Sequence, residues 1–350
     1  TKFMNKKLKN IVTIFALVVL MISFQSQSVF SQQQKLAQTG MKFLNVSLDA
    51  RSSAFGDAVT SLETNSSAMF YNPASMAWLQ RIGDVTIGST RFIADINYYN
   101  GAVAFAPEGG IYGVFGLSFT SVDYGDFLGT VRANNEQGYV DVGTFSPTAM
   151  AVGFGYAKTL SEKFSVGANI KYVRQSLGTS VVGNLVADPF QGYVSGTTEE
   201  NELGVLAFDF GILYKTGYKS LNIGMSVRNF AREVKYKSEG FQLPLIFQLG
   251  ASFNFADIMD VDKNEHSLLV SIDANHPRDY PEQIMIGVEY TFMNILSFRG
   301  GFSAPNDERN FSAGVGLRKD IGGVDLGVDY SYTPFGVFND VHRISLNFAY

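Results

Sequence analysis

The feature that most limits what this chain can fold into is a two-residue period carried over unusually long runs. In 281–292, Ile284, Ile286, Val288, Tyr290 and Phe292 fall on one face, and Gln283, Gly287, Glu289 and Thr291 on the other. In 309–318, Phe311, Ala313, Val315 and Leu317 oppose Asn310, Ser312, Gly314, Gly316 and Arg318. The run 322–334 sets Val324, Leu326, Val328, Tyr330 and Tyr332 against Asp325, Gly327, Asp329 and Ser331. The last run, 341–350, sets His342, Ile344, Leu346, Phe348 and Tyr350 against Arg343, Ser345, Asn347 and Ala349. Neighbouring side chains on a strand point to opposite faces, so each run is a strand with one apolar face and one face of polar residues and glycine.

A soluble sandwich also alternates, but its strands cluster near about 5–6 residues, whereas a tilted membrane-crossing strand needs about 9–11. Ionisable residues recur in mid-strand opposite the aromatics: Lys171, Asp209, Arg228, Asp273, Glu289, Arg318, Asp325 and Asp329. In a barrel that face is a lumen in which acids and bases pair. Fourteen runs can be counted, near 84–90, 98–106, 111–121, 148–158, 163–177, 203–216, 219–231, 243–255, 266–276, 281–292, 295–304, 309–318, 322–334 and 341–350. Those at 84–90, 98–106, 111–121 and 295–304 alternate poorly. An even count suits closure, which leaves no unpaired edge in lipid. The expected fold is all-β, a transmembrane antiparallel β-barrel of about 14 strands over 84–350. Links such as 159–162 are tight, whereas 122–147 and 178–202 are long. Since turns of such barrels are periplasmic and loops extracellular, both mature termini are expected in the periplasm.

The first residues read as an export signal. Lys6, Lys7 and Lys9 precede an apolar stretch from Ile11 to Phe24, too short for the ~20 residues of a membrane-crossing helix. Val29-Phe30-Ser31 then predicts cleavage before Gln32, so that 1–31 is a signal peptide. With 35 glycines, 30 phenylalanines, 17 tyrosines and no cysteine, the chain suits apolar-facing strands and excludes thiolate chemistry. A net charge of −5 without a basic patch points away from nucleic acid. His266, His276 and His342 lack metal-ligand spacing. Asp260-Val-Asp262-Lys-Asn264-Glu265 lacks the glycine and the twelfth-position glutamate of a calcium loop and reads as a charged turn. No catalytic motif is present, and neither an enzyme activity nor a cofactor or metal is expected.

Between 32 and 83 the alternation is absent. Phe43 to Gln80 is rich in small residues and short helical turns, yet carries Phe70, Tyr71, Met76 and Trp78, too many large apolar groups for a disordered tail. A folded plug inside the barrel accounts for it. Its motif Ala68-Met-Phe70-Tyr71-Asn72-Pro73-Ala74 resembles the plug motif of FadL-type outer-membrane transporters, fourteen-stranded barrels with an N-terminal hatch. Together with Phe43-Leu-Asn-Val-Ser-Leu-Asp-Ala-Arg-Ser-Ser-Ala-Phe-Gly-Asp57, it is more specifically similar to the PorV/PorQ family. Many relatives in that family carry a double glycine where this chain has Phe55-Gly56-Asp57.

That resemblance implies a part in type IX secretion. The implied partners are outer-membrane lipids and either secretion-system components or secreted proteins with a conserved C-terminal domain. The FadL-like alternative implies a hydrophobic small molecule in the lumen. Asn72-Pro73 is either a gate or, as proline-preset turns usually are, the structural seat of the plug. Phe190 and Tyr193, in the long loop 178–202, are candidates for recognition. Phe348 and Tyr350 close an aromatic strand face of the kind that the resemblance links to barrel assembly.

Overall fold

The computed structural model describes residues 39–132, 136–182, 197–259, 261–306 and 309–350. The signal peptide expected at 1–31 and the loop candidates Phe190 and Tyr193 lie outside them. The chain runs through β1 (Gly83–Arg91), β2 (Asn97–Phe105) and β3 (Val114–Asp123) into a hairpin of β4 (Phe127–Arg132) and β5 (Tyr139–Phe145). Next come β6 (Thr148–Ser161), β7 (Phe164–Val182), β8 (Thr197–Lys215) and β9 (Asn222–Ala231), then a short hairpin of β10 (Val234–Lys235) and β11 (Gly240–Phe241). The rest are β12 (Ile246–Asn254), β13 (His266–Pro277), β14 (Gln283–Phe292), β15 (Leu296–Ala304), β16 (Phe311–Ile321), β17 (Val324–Thr333) and β18 (Val341–Ala349).

Fourteen of these strands close into one antiparallel barrel, each beside its neighbour in the chain, with β4/β5 and β10/β11 standing outside the wall as two-stranded pieces. Closure is made by β1 on β18, in register from Asp84↔Ala349 to Arg91↔His342. Every wall run expected from the alternation corresponds to one of the fourteen strands. The third is displaced to Val114–Asp123 because Ile111 and Tyr112, which were read as strand, are exposed turn residues.

The burial pattern is that of a soluble protein turned inside out. On β14, Ile284 is 48% exposed while Glu289 is 6% exposed; on β16 and β17, Leu317 is 58% exposed while Asp329 is 3% exposed. An apolar belt left bare on the outside of a closed barrel suits hydrocarbon around it, since closure leaves the wall no unpaired strand edge.

Two ends are distinguishable. One carries tight connections, such as 162–163, 293–295 and 322–323. The other carries the long ones, 124–147, 183–196 and 232–245. Residues 39–82 run between these ends. Thr39 bridges to Gln242 and donates its hydroxyl to Asp279 (3.0 Å), both in loop-end connections. Lys42 pairs with the same carboxylate. At the other end Arg81 reaches Asp325 (2.9 Å) and the carbonyl of Gly323, just before Gly83 pairs with Tyr350. Tyr350 therefore lies at the turn end and Thr39 at the loop end. Residues 39–82 thus run the length of the barrel; the expected mature start at Gln32 lies outside the described residues.

Candidate functional site

Residues 39–82 make hydrogen bonds to the inward faces of β1, β7–β9, β12–β14 and β16–β18, and pack on β2, β3 and β6 through Met69, Met76 and Leu79. Asp49 caps the helical turn Ala50–Ala54 by accepting from the Ser52 N–H (2.9 Å). That turn presents Arg51 to Glu289 of β14, a bidentate pair at 2.9 and 3.1 Å. Glu289 also receives Arg299 of β15 (2.5 Å), which reaches Asp329 of β17 (2.5 Å), whose other oxygen accepts from Asn347 of β18 (2.9 Å). The Ala50 N–H donates to Ser345 of β18 (2.9 Å), and the Thr60 N–H to Asp273 of β13 (2.9 Å). Ser66 donates to Asp84 of β1, and Trp78 Nε1 to Ser165 of β7 (2.9 Å). Arg343 of β18, fully buried, donates to the Ser47 carbonyl (2.8 Å) and to Thr333 (3.1 Å).

The candidate motif sits at the middle of this arrangement. Asn72 caps the 3-10 turn Pro73–Trp78 by accepting from the Ala74 N–H (3.1 Å). Its amide donates to the Thr60 carbonyl (2.7 Å) and to that of Ile212 in β8 (3.0 Å). Wall and segment are close enough there that a Cβ on Gly211 would strike the Asn72 side chain. Ala74 is fully buried and its carbonyl accepts from Ser165 (2.9 Å). The Phe70 carbonyl accepts from Arg228 of β9 (2.7 Å). Tyr71 hydrogen-bonds Ser47 (3.1 Å) and accepts from the Asp49 N–H (3.3 Å). Asn72→Ala should therefore destabilise the seated segment by about 2–3 kcal/mol, since it strips partners from two buried carbonyls and an N–H. Hydrogen exchange at Thr60–Ala74 would show the loss; protection equal to that of the parent would refute it.

The other expected residues are dispersed. Phe348 and Tyr350 stand on the outward face of β18, at 36% and 52% exposure. The histidines stay apart, with His266 on Tyr290 (2.9 Å), His276 on Glu282 (3.1 Å) and His342 on Tyr330 (2.7 Å). Among the mid-strand charges, Lys171 pairs with Asp209 (2.8 Å), a bond set at a bulge where Arg228 and Asn229 of β9 face the single Asp209 of β8. The Arg51–Glu289–Arg299–Asp329 chain was missed in the sequence, where Arg51 and Arg299 carry no local signal of pairing.

Several cavities adjoin the segment, and two of them differ sharply in size and character. Near the loop end, one of about 40 Å³ lies among Phe43, Phe70, Ser118, Lys171 and Arg228. At the turn end, an open one of about 840 Å³ is lined by charge of both signs, including Arg299, Arg318, Lys319, Asp320, Asp325 and Asp329.

In fold the chain is similar to the toluene transporter TbuX of Ralstonia pickettii, with a TM-score of 0.55 and 13% identity, covering 85% of this chain and 97% of that one. It is similar also to the monoaromatic hydrocarbon channel CymD (0.53, 14%, 87% and 96%) and to a FadL homologue of Pseudomonas aeruginosa (0.53, 12%, 87% and 98%). At these identities the likeness is one of fold alone. No curated protein is detectably similar to it in sequence. Residues 118–348 match the type IX secretion system membrane proteins PorP/SprF. That match starts beyond the Phe43–Ala74 stretch on which the resemblance to PorV/PorQ rests. Since it spans the outer-membrane barrel from β3 to β18, about two-thirds of the chain, the protein belongs to the PorP/SprF family of type IX secretion system membrane proteins.

Proposed function

We propose that this barrel serves type IX secretion by binding proteins, with residues 39–82 as a plug that keeps the lumen shut. Secretion-system components, or secreted proteins carrying a conserved C-terminal domain, are engaged at the loops and rim, in the manner implied by the likeness to PorV/PorQ. In this orientation the turn end, with Tyr350, faces the periplasm, and the long connections, which include Phe190 and Tyr193, face outward.

The observation that carries the reading is the occupied lumen. The segment hydrogen-bonds to most of the wall strands and packs against β2, β3 and β6 through apolar side chains, and the cavity on its loop side, about 40 Å³, has room for a few water molecules but none for a hydrocarbon. A wall so braced suits a scaffold for partners better than a conduit. The second reading, passage of hydrophobic small molecules, is favoured by the fold likeness to toluene and monoaromatic hydrocarbon transporters. It requires the segment to shift.

The two are separated by purifying the tagged protein from native outer membranes in mild detergent, then identifying bound proteins and small molecules by mass spectrometry. Co-purification of secretion-system components or of their secreted proteins is the expected result. A solitary barrel carrying a defined fatty or aromatic molecule would transfer the assignment to transport.

A further inference from the structure

The cavity of about 40 Å³ near the loop end lies between the inner segment and the wall, and its two sides differ in chemistry. Phe43 and Phe70 of the segment supply an apolar side. The wall supplies hydroxyls from Ser118 and Thr120 on β3 and two cations, Lys171 on β7 and Arg228 on β9.

The charges there do not balance. Lys171 pairs with Asp209 at 2.8 Å and donates to Asn229 Oδ1 at 2.7 Å. Asp209 also accepts from Asn169 (3.0 Å) and from the Asn229 N–H (2.8 Å), so its oxygens are engaged. Arg228 meets only neutral acceptors: the Phe70 carbonyl at 2.7 Å and Gln248 Oε1 at 3.0 Å, with its guanidinium over the Tyr71 ring at 5.6 Å. Among the described residues no carboxylate lies within ion-pair distance of it. Its Nε is buried and has no acceptor. Two cations thus share one carboxylate beside a cavity, with an unused buried N–H. An unpaired charge in such surroundings is costly, and a water molecule in the cavity would leave it uncompensated.

We propose that this cavity binds one halide-sized inorganic anion, held by the Lys171 ammonium and the Arg228 guanidinium, with the Ser118 and Thr120 hydroxyls turned to donate. Its polar side chains are cations or hydroxyls that can rotate to donate. The volume admits an ion slightly larger than water and excludes an anion bearing a hydrocarbon chain. Because the site is half wall and half inner segment, the ion ties the two together, and occupancy stabilises the assembled barrel in proportion to ligand concentration over Kd.

The test uses the full mature protein in detergent, with sodium gluconate exchanged for sodium chloride or bromide at constant ionic strength. Tm is expected to rise with halide and to saturate, and bromide-soaked crystals should show one anomalous peak beside Arg228. Arg228→Met should abolish the halide dependence. Should that variant fail to insert, Thr120→Val removes one donor and should weaken halide affinity about tenfold. Arg174→Gln, at an exposed pair, should leave the halide response intact. An identical Tm in gluconate and halide, with no bromide peak, overturns the proposal and leaves a cavity holding water. A halide response that survives both Arg228→Met and Thr120→Val overturns it as well, by placing the ion elsewhere.

Discussion

Replacing Glu289 with glutamine should cost the folded barrel about 3–5 kcal/mol, the range for removing one partner of a buried ion pair. The magnitude follows from what remains. Glu289 takes Arg51 at 2.9 Å and Arg299 at 2.5 Å, and both it and Arg299 have side chains less than a tenth exposed. Glutamine keeps the size but removes the charge. Arg51 then has no carboxylate in contact, and Arg299 keeps only Asp329. Two guanidiniums then remain close together at the edge of the turn-end cavity, with the Arg299 side chain almost wholly removed from solvent. The measurement is the urea midpoint in micelles, followed by the mobility shift that folded barrels show on unheated gels. Arg174→Gln makes the comparison, because the Arg174–Glu202 pair is exposed on both sides and should be worth less than about 1 kcal/mol. If both variants unfold at the same urea concentration as the parent, the inner charge chain is ornamental.

A larger functional effect is expected from Gly301→Leu. Gly301 of β15 points inward, and a Cβ there would fall on the Gly56 N and the Phe55 carbonyl carbon; Gly287 of β14 abuts Phe55 in the same way. A leucine at 301 occupies the space of the inner segment, so the segment cannot seat. The outward face of β15 is untouched, so the wall still closes. Trypsin should then cut at Arg51, which is protected in the parent, and planar bilayers should register open-channel currents where the parent is nearly silent. Gly300→Ala provides the control, since a Cβ at 300 meets nothing within 4 Å. A Gly301→Leu barrel that is folded, uncut at Arg51 and silent would mean the segment does not occlude the lumen. If leucine prevents folding altogether, Gly301→Ala applies the same pressure with fewer atoms.

The wall was legible wherever inward residues are polar and outward residues apolar, as in β14, β16, β17 and β18. It was hard to read where the inward face is apolar too. On β2, the inward Ala102 and Ala104 pack on Met69, Met76 and Leu79 of the inner segment, so both faces look hydrophobic. On β15 the outward Gly300 interrupts the apolar face and hides the inward series Ser297, Arg299, Gly301 and Ser303. Neither effect is visible without knowing what lies in the lumen. The β10/β11 hairpin gave no signal because it is held from outside its own sequence: Val234 and Leu243 are buried against Met41, Phe43 and Leu48. Within the candidate site, the importance of Asn72-Pro73 could be read from turn chemistry, but its partners could not. Thr60 is local, whereas Ile212 is 140 residues away.

The path of residues 39–82 also constrains the order of events during biogenesis. The segment is joined covalently to β1 at Gly83, on the turn side, and its other end is fastened at Asp279 on the loop side. A ring already zipped shut between β1 and β18 would have to be threaded from within by some forty residues, including Trp78 and several phenylalanines. Wrapping an open sheet around a seated segment meets no such obstacle. The β1–β18 seam should therefore be the last to form, and a chain whose N-terminal part is slow to settle should stall as an unsealed sheet, with two bare edges exposed to whatever assembles it.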